Sequence, residues 1–364
     1  MVAKKLRYKY GLFLFVLFIQ AGCVEQQILD EQKLIFGVGY DLVDEDKIEG
    51  TVSIPTFQTE AQVESVTISA TAKTSRDIGT LLETKSSRPL HPGKIKSILF
   101  DYHLAENGIM TLLDTFIRDP NIGLRIFLAT VDKGSTKELL TEDYNLEEDT
   151  ATYIEEMIEQ NIDRQTIPTS NIFTFISSYF QEGKDAFLPN IQLNDEQIQI
   201  TGLTLFKGDR AVHRLNLRQA FLIKLLVEPA REGTYELTLN EEDDEYAVIR
   251  NISSNNDVTV DLSKRIPEID VSVQFKGKVK EYSGHTLDEK KVKEIQRSLE
   301  KTLSKEMNRL IFLLQKKKVD PIGFGAKVKA KDKHFDLEKW NKQYHLAPIR
   351  ASIDVVITET GVEE

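Results

Sequence analysis

Residues 269–282 read IDVSVQFKGKVKEY. Ile269, Val271, Val273, Phe275, Gly277 and Val279 fall on one side and mostly polar residues on the other, the period of two that marks a half-buried strand or a bent pair of strands. The period then changes. Val292, Ile295, Leu299, Leu303, Met307, Leu310 and Leu314 recur every three or four residues, which predicts the longest helix of the chain. Thr286 and Glu289 have the spacing of a capping box at its start. Lys316, Lys317 and Lys318 sit where cations favour a helix C-terminus, and Pro321 stops it. Ile353, Val355 and Ile357 alternate again in a final strand over 351–358. Strand, long helix, strand is a compact α+β unit, which sets its limits at 266–364.

Upstream, short strand candidates at 198–206, 235–239, 246–250 and 258–262 are separated by polar turns such as Lys207-Gly208-Asp209-Arg210. A helix over 215–226 carries Leu217, Phe221 and Leu225. These suggest a small β-rich middle domain, 190–265. Before Pro189 the elements alternate. Strands are expected at 34–40, 51–57, 95–100 and 124–131. Helices are expected at 74–85, 108–116, 135–140, 152–163 and 169–181, the last presenting Phe173, Ile176 and Phe180. Pro55 places the second strand at an edge or a bulge. Gly37 and Gly39 fit a bulge or close packing more simply than a ligand nest. The fold expected is α+β: three dissimilar mixed α/β domains, 23–189, 190–265 and 266–364, after a signal segment.

That segment is residues 1–22. Lys4, Lys5, Arg7 and Lys9 precede the uncharged run GLFLFVLFI, 11–19, and small residues lead to Cys23. A positive start, a short apolar run and a small-residue cut site make a secretory signal. The run is too short to span about 30 Å of hydrocarbon, which takes roughly 20 helical residues. Cys23 is the only cysteine in 364 residues, so it has no intrachain disulfide partner. Directly after Ala21-Gly22 it has the setting of a lipobox, and is read as the lipid-attachment residue, expected to carry a diacylglycerol and an N-acyl chain. Two chains or more anchor stably where one binds marginally. The competing readings are a buried structural cysteine and an uncleaved anchor.

With 47 basic and 58 acidic residues the net charge is −11, and −15 once the signal is removed. Such a body has no overall electrostatic reason to bind nucleic acid or anionic lipid headgroups. No GxSxG elbow, Walker A loop or HExxH helix is present. The six histidines are all at least eleven residues apart, so none forms a local metal pair. The acidic run 240–245 lacks EF-hand spacing. No catalytic, metal or cofactor residue is assigned. Asp320-Pro321-Ile322-Gly323-Phe324-Gly325 stands out, because two glycines let the backbone turn tightly around an aromatic ring. Phe324 is either a plug for the domain core or a partner-facing knob. Trp340, four residues before Tyr344, is a second candidate for a partner-facing position, with core or rim as the plainer reading.

Five stretches carry a resemblance: GVGYD at 37–41, SSRPLHPGKIKSILF at 86–100, AENGIMTLLDTFIRDPNI at 105–122, ITGLTLFKGDRAV at 200–212, and Gln315 followed by DPIGFG at 320–325. Together with the lipobox they resemble the Ger(x)C lipoproteins, the C-subunit family of spore nutrient germinant receptors. The chain departs from the family in having Val24-Glu25 after the cysteine and Trp340 as its single tryptophan. The resemblance implies a three-domain, non-catalytic lipoprotein on the outer face of the spore inner membrane. It also implies partners: a multi-spanning A subunit and a transporter-like B subunit. The alternative is a solute-binding lipoprotein that captures the germinant itself, which would show two similar lobes around a cleft.

Overall fold

The computed structural model describes residues 32–360, apart from 60, 61, 143, 145, 147, 165, 195, 196, 241 and 243. The signal segment and Cys23 lie outside the described residues.

Eight strands form the larger sheet. Four run parallel at its centre: β2 (Gly37–Asp44), β6 (Ser97–Asp101), β7 (Phe127–Val131) and β8 (Phe187–Asn194). Antiparallel β3 (Lys47–Thr59) and β4 (Gln62–Ala72) extend one side, and β9 (Gln197–Lys207) and β10 (Arg210–Asn216) the other, giving the order β10-β9-β8-β7-β6-β2-β3-β4. A parallel pair, β1 (Lys33–Leu34) and β5 (Leu90–His91), lies apart. The central strands are buried on both faces, since helices cover both. Ile98, Phe100 and Leu128 pack in one core with α1 (Ser75–Glu83), α2 (Tyr102–Asn107), α3 (Met110–Ile117) and α6 (Ile172–Phe180). Leu99, Ala129 and Val131 pack in the other with α4 (Thr136–Thr141) and α5 (Thr150–Asp163).

The glycines of GVGYD are set by this packing. A Cβ on Gly39 would meet Thr136 Oγ1 at 2.4 Å, and one on Gly37 would meet Ala151 Cβ at 2.8 Å. Close approach of helix to strand requires both. Asp41 follows them and holds the start of α4, accepting from Thr136 N–H (2.7 Å), Thr136 Oγ1 (2.8 Å) and Lys137 N–H (3.0 Å). Burial raises its pKa against the pull of these bonds.

The smaller sheet has the order β11-β12-β13-β14, with β11 (Thr234–Asn240), β12 (Glu245–Asp261), β13 (Glu268–Tyr282) and β14 (Ile349–Thr360). Buried and exposed residues alternate along β13, so one face is dry and one wet. On the dry face lies α8 (Glu289–Lys317), which buries Ile295, Leu299, Leu303, Met307, Leu310, Ile311 and Leu314. Its left-handed C-cap is Lys318. Between the sheets runs α7 (Leu217–Val227). Its residues Ala220 to Leu226 are buried without interruption, because it packs on β9 and β10 on one side and on β12 and α8 on the other. Lys224 is among them, its ammonium 2.6 Å from Glu228.

Several expectations are corrected. Residues 190–265 have no sheet of their own: β8 to β10 complete the large sheet, while β11 and β12 belong to the small one. Short strands separated by turns look alike whichever sheet they join. The candidates at 246–250 and 258–262 are one strand, β12, interrupted by a register shift between Asn251 and Ser253. The cap of α8 is Asp288, which accepts from Lys291 N–H (2.7 Å), and not Thr286. On α6 the buried residues are Ile172, Phe175 and Ser178, out of phase with the expected face, and Phe173 and Phe180 are 57% and 69% exposed. β3 is an interior strand, yet Pro55 fits it. Its pairing with β2 ends at Ser53, so on that side Pro55 meets no strand donor or acceptor.

Candidate functional site

The DPIGFG segment leaves α8 and turns straight into the larger sheet's territory. Asp320, 3% exposed, folds its carboxylate back on its own loop: Oδ1 accepts from Gly323 N–H and Oδ2 from Gly325 N–H, both at 2.9 Å. Those bonds tighten the turn in which Gly323 is left-handed (φ +80°) and start α9 (Phe324–Lys331). Phe324 is 0% exposed and Trp340, on α10 (Leu337–Gln343), is 4% exposed. Both side chains are buried within this chain. Both belong to the core that fills the space under α8, because a rigid turn beside a helix end leaves a hole that an aromatic ring closes.

The same turn is bolted to residues 183–186, the loop between α6 and β8. Asp185 N–H donates to the Asp320 carbonyl (2.9 Å), and Asp320 N–H donates to the Asp185 carboxylate (2.7 Å). Lys207 of β9 donates to that same carboxylate oxygen (2.9 Å). Ala326 N–H reaches the Gly183 carbonyl (2.9 Å), and outside the joint Lys329 pairs with Glu182 (2.8 Å). The two backbones touch at glycines. A Cβ on Gly183, itself at φ +79°, would lie 2.4 Å from the Gly325 carbonyl carbon, and one on Gly325 would lie 2.4 Å from Trp340 Nε1. Gln315 closes the other side, donating to the carbonyls of Tyr344 and Ala347 at 2.8 Å.

Burial pushes the Asp320 carboxyl up to about 7, against the backbone N–H groups that favour its charge and with Asp185 adding repulsion. Burial also lowers the Lys184 ammonium despite nearby Asp320. A small cavity of about 260 Å³ opens beside the joint, lined among others by Phe180, Lys184, Asp320 and Trp340. The carboxylates here are committed to backbone and lysine donors. The arrangement suits a joint between two units and supplies no activated nucleophile.

A larger cleft, about 550 Å³, lies where α7 meets β11. Arg218 stacks on Tyr235 with its guanidinium carbon 4.5 Å from the ring centre, and pairs with Glu306 (2.9 Å). Arg250 pairs with Glu232 (3.0 Å). Two of the cleft's arginines are thus already neutralised. No group of three or more histidine, cysteine, aspartate or glutamate residues that could hold a metal occurs among the described residues. His91 serves its own turn, Nδ1 accepting from Gly93 N–H (3.1 Å), and His103 lies 3.2 Å from Glu106 on the surface.

Sequence reasoning singled out Asp320 to Gly325, Gln315 and Trp340, and the structure brings them together. It missed Gly183 and Asp185, which lie more than a hundred residues away, and quoted Lys207 only as part of a turn. No local pattern marked Gly183 or Asp185. Asp209 was quoted within its motif but its task was not seen. It reaches across to the break between α2 and α3, accepting from Ile109 N–H through its carbonyl (3.1 Å) and from Met110 N–H through its carboxylate (3.3 Å).

Two mixed α/β units, a helix-covered parallel sheet and a four-stranded sheet under one long helix, joined by a buried aspartate turn, define a class of two-part α/β protein. Its two parts match two family models: the spore germination protein N-terminal domain over residues 25–193, and the spore germination B3/GerAC-like C-terminal domain over 201–361. The chain belongs to the GerAC-like family of spore germination proteins. It is 29% identical to the spore germination protein GerQC of Bacillus cereus over 98% of this chain and 99% of that one. It is 23% identical to the putative spore germination protein YfkR of Bacillus subtilis (strain 168) over 81% and 78%. The crystal structure of the GerBC protein shares the fold, with a TM-score of 0.60 at 14% identity over 89% of this chain and 97% of that one. The model boundary at 193–201 precedes the sheet boundary, since β9 and β10 still pair within the large sheet.

Proposed function

We propose that this protein is the lipid-anchored, non-catalytic C subunit of a nutrient germinant receptor, needed for receptor assembly or signal transmission in germination. The observation that carries the reading is the end-to-end match of both halves to germination-family models. Cys23 takes the lipid and holds the body on the outer face of the spore inner membrane. Among the described residues no helix is long and apolar enough to cross a membrane. Confinement to that surface raises the effective concentration of the body near integral A and B subunits, so weak contacts suffice for assembly. The direct-capture alternative draws less support, because the two units differ in size and topology.

The test is Cys23→Ala in the intact chain, read by spore membrane fractionation and nutrient germination. The folded body should leave the membrane fraction and the nutrient response should fall. A variant retained in the membrane with an unchanged response would overturn the anchor. Calorimetry of the body with candidate nutrients addresses capture, and tight binding would favour that alternative.

A further inference from the structure

We infer that one end of the large sheet rests against an anionic phospholipid surface. This inference rests on the lipid anchor at Cys23.

The register fixes which residues share that end. Gly37, Ser97 and Phe127 lie side by side in three parallel strands, and Asn190 lies beside Thr130, which puts Phe187 level with Phe127. Residues just before those positions therefore lie together. Helix α6 belongs to the same end. Ile172 N–H at its start donates to the Ile126 carbonyl (2.9 Å), and its end leads through 183–186 into the start of β8. Its outward residues Phe173 and Phe180 are exposed, as is Leu124, at 45%. Exposed aromatic rings beside cations are what the interfacial zone of a bilayer accepts.

Charge separates the two ends of the sheet. Residues 32–36, 88–96, 118–126 and 181–186 hold Lys33, Arg88, Lys94, Lys96, Arg118, Arg125 and Lys184 against three carboxylates: Asp119, Glu182, which pairs with Lys329, and Asp185, which pairs with Lys207. Among the described residues three acids reach them from packed helices: Glu155 pairs with Lys96, Asp114 with Arg118, and Glu83 accepts from Leu90 N–H; Arg88 has an interaction of its own. Cations remain in excess, in a chain of net charge −11. The opposite end, 41–49, 101–107 and 132–138, carries nine carboxylates and three cations. Anionic headgroups attract the first end and repel the second.

The tether agrees. Lys33 is pinned where its N–H donates to the Pro89 carbonyl (2.9 Å). Ten residue steps separate it from Cys23, a reach of at most about 36 Å. The near end lies within that reach with slack. The far end lies roughly 26 Å further along the eight residues of β2, so it could be served only by a taut chain running up the flank.

The experiment places a tryptophan at each end of the full lipidated chain, Phe173→Trp and Val43→Trp, both at exposed sites (Val43 is 54% exposed, near the turn after β2). Each is reconstituted in phosphatidylglycerol–phosphatidylcholine vesicles with brominated acyl chains, with the parent chain and its buried Trp340 as baseline. Flotation reports the anchor and quenching reports the face. The added emission at 173 should fall by about half and that at 43 should hold, with the quenching at 173 weakening as salt screens the headgroups. A chain that floats with both positions equally unquenched overturns the face and leaves the anchor standing. That outcome would assign the aromatic patch to a protein partner instead. A chain that does not float overturns both.

Discussion

The two sheets solve the same problem differently. The large one is buried on both faces, so its central strands SILFD and FLATV are mostly apolar and buried with no alternation. The small one keeps one face in water, so β13 alternates strictly and reads as a strand at sight. Covering both faces costs the large unit six helices. The small unit needs little beyond α8, the turn at 320–325 and two short helices. Stability of the small unit therefore concentrates in few side chains, while that of the large one is spread.

The largest effect should come from Phe324→Ala, which empties a fully buried ring site under α8. A loss of about 3–5 kcal/mol is expected in urea unfolding, and a near-neutral result would break the claim that the small unit leans on this plug. Gly183→Ala attacks the joint, where left-handed backbone and the Gly325 contact both oppose a methyl group. It should cost at least ~2 kcal/mol, with hydrogen exchange rising at 183–186 and 320–326 and not in the middle of β13. Asp288→Ala should cost about 1 kcal/mol as a lost helix cap, whereas Thr286→Ala should change little, which separates the observed cap from the expected one.

A pH dependence follows from Asp320. Its folded pKa of about 7 stands above the ordinary carboxylate value, so the folded state holds a proton that the unfolded state has released. Its contribution is fully present in acid and is lost as pH rises from about 4 through 7. Wild-type urea midpoints should fall over pH 5–7, and Asp320→Asn should flatten that slope; equal slopes would remove Asp320 as the cause. The smallest effect belongs to Phe173→Ser, expected within about 0.5 kcal/mol because the ring is exposed.

Most elements were legible because their periods are local. β13, α8 and β14 announce themselves by spacing, and Thr74, which accepts from Asp77 N–H, caps α1 at the expected start of its helix. What was hidden is long-range. Nothing local says that β9 and β10 pair with β8 while β11 joins β12, since each is a short strand after a polar turn. Phe173 and Phe180 satisfied helical spacing as well as Ile172 and Phe175 did, and only the neighbour, Phe206 at 5.1 Å from Phe175, decides which face is inside. The aspartate–glycine turn looked special from its two glycines, but its partner Gly183 could not be found without the fold.

Intact-mass analysis of the protein extracted from spore membranes bears most directly on the proposed lipid anchor. The mature chain should begin at Cys23 and carry the added mass of a diacylglycerol. A chain beginning at Met1, or an unmodified thiol at position 23 in membrane-retained protein, would contradict the account.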